Sequence, residues 1–277
     1  MIRQFLKRHI PDGFQSSLQH VWREVNILRM HRKGIRQVRK ITGQQHLRLH
    51  IGCGSKIKKE WINIDLSPKA DITLDARESL PFLENSCSII YSEHFLEHLD
   101  YPGDANSFLR ECYRALEPGG LFSVGVPDTE WPIVEYTGHR SEGYFAYAKE
   151  LWHPEWCQTE MEHINYHFRQ GDERRFAYDF KTLARALSNV GFQEIQRRDF
   201  DPDLDSADRK LGTLYVNAYK QKEKRSWLSK SSHYALHPSV RSVKCAQQGA
   251  APDSNSAALN CRRRALSLSN CDKLQQS

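Results

Sequence analysis

Gly52-Cys53-Gly54 follows the run Leu47-Arg48-Leu49-His50-Ile51, and Asp65 stands eleven residues beyond Gly54. Glycines at such a point let the chain turn sharply and admit a ligand where a Cβ would block it. A carboxylate ending the next strand can accept two hydrogen bonds from a ribose diol. The same acid, just before Ser67-Pro68, could also serve a surface turn. Asp75-Ala76 is placed either to read an adenine edge or to cap a helix near Glu78. The loop continues as Gly-Cys-Gly-Ser-Lys-Ile, without the third glycine and immediate helix that seat a pyrophosphate. A phosphate-free nucleoside therefore suits it better than a dinucleotide.

A second concentration of chemistry lies between Thr129 and Asp179. It holds Trp131, Tyr136, Tyr144, Phe145, Tyr147, Trp152 and Trp156, with His139, His153, His163 and His167 interspersed. Aromatic faces suit sugar C–H faces or planar molecules, and imidazoles can take a proton near neutral pH. Some of these rings are expected only to pack against one another. His163 and His167 would share a helix face, but no third ligand and no His-Glu-x-x-His pattern accompanies them, so no metal is expected.

These residues need a frame. Residues 46–52, 60–66, 71–75, 87–92, 121–128, 194–200 and 213–220 read as seven strands. Phe108, Leu109, Cys112, Tyr113 and Leu116 share one face of a helix that Pro118-Gly119-Gly120 should stop. Phe180, Leu183, Ala184 and Leu187 mark another, ending at Gly191. Strands alternating with helices imply a mostly parallel sheet covered on both faces. The links between the first three strands are too short for full crossover helices, so reduced connections are expected there. Before the sheet, Phe14, Leu18, Val21, Trp22, Val25 and Leu28 fall on one face of a basic helix. That face should lid the core; the alternative is docking on an anionic membrane surface or partner.

Charge follows the same division. The net +6 comprises +8 in residues 1–46, +7 in residues 222–277 and −9 between them. An acidic middle argues against nucleic acid as its substrate. The mean hydropathy of −0.68 fits a chain that does not bury all of its length. Residues 222–277 lack periodicity and read as a disordered tail. Seven cysteines without a Cys-x-x-Cys pair, and no secretory signal or apolar span, suggest reduced thiols in a cytoplasmic protein.

The run Ser92-Glu93-His94-Phe95-Leu96-Glu97-His98, preceded by Leu80-Pro81-Phe82 and followed by Leu116-Glu117-Pro118-Gly119-Gly120, adds to the glycine loop and Asp65. Together these motifs resemble the class I S-adenosylmethionine (SAM)-dependent methyltransferases, type 11 group, over residues 46–221. The resemblance implies a Rossmann-like α/β fold, with residues 1–45 as a helical extension and 129–178 as a substrate-covering insertion. It also implies SAM as cofactor. Gly52, Cys53 and Gly54 would line its methionine and ribose, Asp65 would bind the ribose hydroxyls, and Asp75 and Ala76 would sit by adenine. Ser92, Glu93 and His94 would lie beside the sulfonium. Three positions depart from the pattern: His50 replaces a usual acid, Lys56 a third glycine and Ser88 another acid.

Methyl transfer from a sulfonium is an in-line displacement that needs alignment and exclusion of water. A hydroxyl acceptor also needs a base, for which His94, His163 and His167 are candidates and Asp128 a further one. The expected reaction carries a methyl group to an O or N nucleophile of a small-molecule or glycan-like acceptor. The alternative is a non-catalytic SAM-binding or interaction protein on the same fold.

Overall fold

In a computed structural model, the described residues are 11–222 apart from 42 and 139–142. The expected tail beyond 222 lies outside them.

Seven strands form one sheet in the order β3-β2-β1-β4-β5-β7-β6. They are β1 (Leu47–Ile51), β2 (Ile62–Asp65), β3 (Ile72–Thr73), β4 (Cys87–Glu93), β5 (Leu116–Pro127), β6 (Gln193–Arg198) and β7 (Thr213–Tyr219). All neighbouring pairs are parallel except those made by β7, which runs antiparallel to both β5 and β6. The order reverses between β1 and β4, where open α/β sheets bind ligands beyond the carboxyl ends of their strands. Leu49, Ile51, Ile64, Ile90, Phe122 and Val124 fill the core from these strands.

Helices α1 (Asp12–Val38), α2 (Gly103–Ala115), α3 (Glu130–Tyr136), α4 (Tyr144–Tyr147), α5 (Glu160–Arg169) and α6 (Phe180–Val190) surround the sheet. The links joining β1, β2 and β3 contain no helix, as their lengths require. α6 begins where the Asp179 carboxylate accepts the Thr182 amide at 2.8 Å, and it ends at Gly191 with φ +113°. α2 stops at Ala115 rather than at the Pro-Gly-Gly turn. β5 already pairs there, and its register jumps from Leu116 opposite Cys87 to Leu121 opposite Ile89.

α1 departs from expectation in its orientation. The apolar stripe does not lid the core: Phe14 is 56% exposed, Val21 60% and Trp22 69%. The face that packs carries Ile27, His31, Gly34 and Val38 instead. A Cβ on Gly34 would stand 2.1 Å from the Thr73 carbonyl oxygen, so only glycine lets α1 approach β3 this closely.

Candidate active site

The glycine loop is bound to the end of β2. The Gly52 and Cys53 amides donate to the Ile64 carbonyl at 2.9 and 3.2 Å. The Gly54 amide donates to Asp65 Oδ2 at 2.8 Å, and the Ser67 amide to Asp65 Oδ1 at 2.7 Å. Each carboxylate oxygen thus keeps a lone pair for a further donor while the side chain is held in place.

Gly52, Asp65, Asp75 and Ala76 line one hollow of about 640 Å³, closed on one side by His20, Arg23, Glu24 and Ile27 of α1. Acids outnumber bases in its lining: Glu24, Asp65, Asp75, Asp100, Asp104, Asp172 and Glu173 are set against Arg23, Arg77 and Arg175. Such a lining suits a ligand carrying an ammonium and a sulfonium and repels a pyrophosphate. The Asp65 carboxylate, the glycine turn and this charge balance fit SAM. Asp75 is committed elsewhere. Its carboxylate accepts the Arg77 amide at 3.0 Å and Arg77 Nη2 at 2.8 Å, and Arg77 continues to Glu24 of α1 at 2.9 Å. Burial alone would raise its pKa, but Arg77 outweighs this and holds the carboxyl below its usual range.

The structure does not bring every expected cofactor residue to this hollow. The Cys53 side chain is buried, and burial pushes its thiol up to about 12. Gly54 lies off the lining, and a Cβ there would meet open space, whereas one on Gly52 would stand 2.5 Å from the Phe95 ring. Ser92 Oγ is buried with no hydrogen-bond partner. Glu93 accepts Ser206 Oγ at 2.6 Å, Tyr215 OH at 3.2 Å and Arg209 Nη1 at 3.3 Å, so it anchors the β6–β7 loop. His50, which replaces an expected acid, is a core residue. Its Nδ1 lies 3.3 Å from Asn63 Oδ1, and burial pulls its pKa down to about 4.

A second cleft, of about 310 Å³, opens between the ends of β4, β5 and β7 and the 129–178 segment. His94 and His167 both line it, together with Tyr144, Trp152, His153 and Tyr166. His94 adopts φ +52°, and its Nε2 lies 2.8 Å from Thr213 Oγ1. Burial, followed by the nearby Arg209 and Arg174, lowers its pKa well below 6.5, so its basic form prevails at neutral pH. His167 Nδ1 lies 2.9 Å from Tyr144 OH while its Nε2 is buried without a partner. His163 does not reach the cleft. It turns away from His167, and its Nδ1 lies 2.9 Å from His153 Nδ1. Asp128 also stays off the lining; its Oδ1 accepts the Glu130 amide at 3.0 Å at the start of α3.

Two short segments wall the hollow from the cleft, and each lends residues to both: 94–98 and 170–175. The Glu97 carbonyl accepts the Arg175 and Phe176 amides at 2.7 and 3.1 Å, and His98 Nδ1 lies 2.9 Å from the Glu173 carbonyl. Inside this wall the Glu97 carboxylate is fully buried with no hydrogen-bond partner, 3.9 Å from His94 Nδ1 and 3.8 Å from His98 Nε2. Burial raises its pKa. Arg174 lines the cleft and donates to the His167 carbonyl, while its Nε has no partner. Sequence reasoning did not single out Glu97 or Arg174 as functional. Glu97 lies inside the Ser92–His98 motif, where its burial could not be read from the sequence, and Arg174 sits in a charged stretch that gives no spacing signal.

Comparison with known proteins bears on the first half of the sheet. Residues 49–124 match a family model described as a methyltransferase domain. A "probable S-adenosylmethionine-dependent methyltransferase" of Mycolicibacterium smegmatis is 34% identical over 61 residues, which are 22% of this chain and 23% of that protein. The chain thus spans about a quarter of that relative's length. Among solved structures, a SAM-dependent methyltransferase of Archaeoglobus fulgidus aligns with TM-score 0.40 at 16% identity, covering 69% of this chain and 94% of that one. One from Methanosarcina mazei aligns with TM-score 0.40 at 17% identity, covering 67% and 97%. Among the described residues no helix is long and apolar enough to cross a membrane. The family match falls on the strands that carry the glycine loop, Asp65 and His94, and over residues 49–124 the chain is similar to a methyltransferase domain.

Proposed function

We propose that the protein transfers the methyl group of SAM to an O or N nucleophile of a small-molecule or glycan-like acceptor held in the cleft beside His94. When bound, SAM supplies an activated methyl on a sulfonium. The chain's part is to place it and to order the acceptor. Asp65 holds the ribose, the acidic hollow favours the cationic end, and His94, on the segment that borders both spaces, faces the acceptor side. His94, neutral and steadied by Thr213, accepts the acceptor's proton. Trp152 and Tyr166 give aromatic faces of a kind that suits a sugar or planar ring. The observation that carries this reading is the doubly anchored Asp65 carboxylate at the edge of the acid-lined hollow.

The test is binding first and turnover second. Calorimetry should find SAM and S-adenosylhomocysteine bound and NAD not bound. Incubation with labelled SAM and a panel of sugars, phenols and amines should then release S-adenosylhomocysteine. Binding of SAM with no turnover on any acceptor would favour the non-catalytic alternative, and no binding would end both readings.

A membrane partner is also proposed. The outward face of α1 is apolar from Phe14 to Leu28 and then carries exposed Arg29, Arg32, Lys33, Arg36, Arg39 and Lys40. A helix about 40 Å long with this order of faces suits an anionic lipid surface, with side chains for the acyl boundary and cations for the headgroups.

A further inference from the structure

Behind the cleft, His153, Cys157 and His163 each offer one ligand atom, and the three atoms all lie within 4.8 Å of one another. We propose that these residues bind a zinc-class divalent cation that ties the turn 153–157 to α5. This goes beyond the methyltransferase reading and does not depend on it.

The chain builds the cluster by unrelated local devices. Residues Ala148–Trp152 form a π-helical turn that releases His153 into extended backbone. The Cys157 amide donates to the Pro154 carbonyl at 3.0 Å, closing the turn that brings the thiol inward. α5 begins with a capping box between Thr159 and Glu162, which fixes the helix so that His163 is 4% exposed. Cys157 is 1% exposed.

The ligand atoms have the right kind and orientation. His153 Nδ1 and His163 Nδ1 face each other at 2.9 Å. Without an ion, this spacing is a hydrogen bond between two neutral imidazoles. Two nitrogens on one tetrahedral zinc, each about 2.1 Å from it, stand about 3.3 Å apart. The rings need part by only a few tenths of an ångström. An Nδ1 ligand must carry its proton on Nε2, and metal-bound histidines usually give that proton to a fixed acceptor. His153 Nε2 already lies 3.5 Å from Tyr144 OH, and the same hydroxyl meets His167 Nδ1 at 2.9 Å. One thiolate and two imidazoles select zinc or its late first-row neighbours over magnesium or calcium. On binding, the Cys157 thiol loses its proton to solvent, a sulfur–metal bond forms, and the fourth position takes water. His153 lines the cleft, so the ion would fix one wall of the acceptor site.

The full chain, purified without chelator and with any affinity tag removed, should carry about one zinc per chain by elemental analysis. Replacing zinc with cobalt(II) should give a thiolate-to-cobalt charge-transfer band. C157S should abolish that band, and H163Q should weaken zinc binding about tenfold or more in a chelator competition. H46Q, at an exposed histidine paired with Glu117 and remote from the cluster, should leave both unchanged. A wild-type cobalt(II) spectrum without a thiolate band would overturn the proposal even if C157S does not fold. So would zinc binding unchanged in both C157S and H163Q.

Discussion

The Asp65 carboxylate reaches back along the chain to take the Gly54 amide at 2.8 Å, so the acid ending β2 and the glycine turn form one unit. Its other oxygen is fixed by Ser67. Asp65→Ala should therefore weaken SAM and S-adenosylhomocysteine binding about tenfold or more and lower stability by about 1 kcal/mol, through two lost hydrogen bonds to backbone amides. Asp65→Asn should keep one of the anchoring bonds and lie between. Calorimetry and urea unfolding measure the two effects, and unchanged binding in Asp65→Ala would remove the cofactor assignment.

His94 is the expected proton acceptor. His94→Ala should cost about 10²- to 10⁴-fold in kcat with little change in SAM affinity. Thr213→Val, which removes the 2.8 Å contact, should produce a smaller loss of the same kind. Because burial keeps the pKa of His94 well below 6.5, kcat/KM should stay level through neutral pH and fall only well into the acid range. Near-wild-type turnover in His94→Ala, at saturating acceptor, would exclude this role.

His50 predicts the acid stability of the fold. It takes up a proton near pH 6.5 when unfolded but only near about 4 when folded. The unfolded chain therefore binds more protons between these values, and stability falls as pH drops through that window. Its share of the loss from pH 7 to pH 5 is about 2 kcal/mol. Urea unfolding of His50→Gln should show a correspondingly shallower decline than wild type. An equal decline in both proteins would contradict the burial argument.

Glu97 should behave in the opposite sense. Its raised pKa means that its folded-state contribution is present below about pH 4.5 and is lost as pH rises through the folded value. Glu97→Gln removes a buried carboxyl that has no hydrogen-bond partner and whose charged form burial disfavours, and should raise stability above the folded-state pKa by on the order of 1 kcal/mol. It should also slow turnover, because the carboxylate lies beside His94 and close enough to Arg174 to feel its charge. Thermal melts and kcat together test this; a destabilised variant would show that the charge is compensated.

Vesicle binding tests the outward face of α1. The full chain should co-sediment with vesicles containing phosphatidylserine, and less so as salt rises or when phosphatidylcholine is used alone. Leu18→Glu with Trp22→Glu should abolish the interaction while leaving SAM binding intact, since both side chains are exposed.

The strands were legible because buried parallel strands leave short, largely apolar runs, as in Ile89-Ile90-Tyr91 of β4. The glycine loop and Asp65 were legible because their spacing reflects a backbone contact. α1 was misread for a physical reason: periodicity tells which residues share a face, not which face the core covers. His31 and Gly34, not Leu18 and Trp22, meet the sheet. His163 was paired with His167 because they are one helical turn apart, but the π turn before His153 brought in a partner that no regular spacing announces. Glu93 looked like a cofactor residue until the β6–β7 loop supplied its donors from more than a hundred residues away.

The two backbone bonds onto the Glu97 carbonyl set a rule for recombining this enzyme with its relatives. Arg175 and Phe176 belong in sequence to the 129–178 segment beside the cleft, yet their amides brace the Glu97 carbonyl between the cleft and the hollow proposed for the nucleoside. A chimaera that exchanges the whole stretch from 129 to 178 would bring foreign braces with it and loosen grip on the methyl donor, whatever acceptor the donor parent prefers. A graft with its second junction at Gln170 leaves the native brace in place. Acceptor range in this scaffold is thus portable only as far as the end of α5.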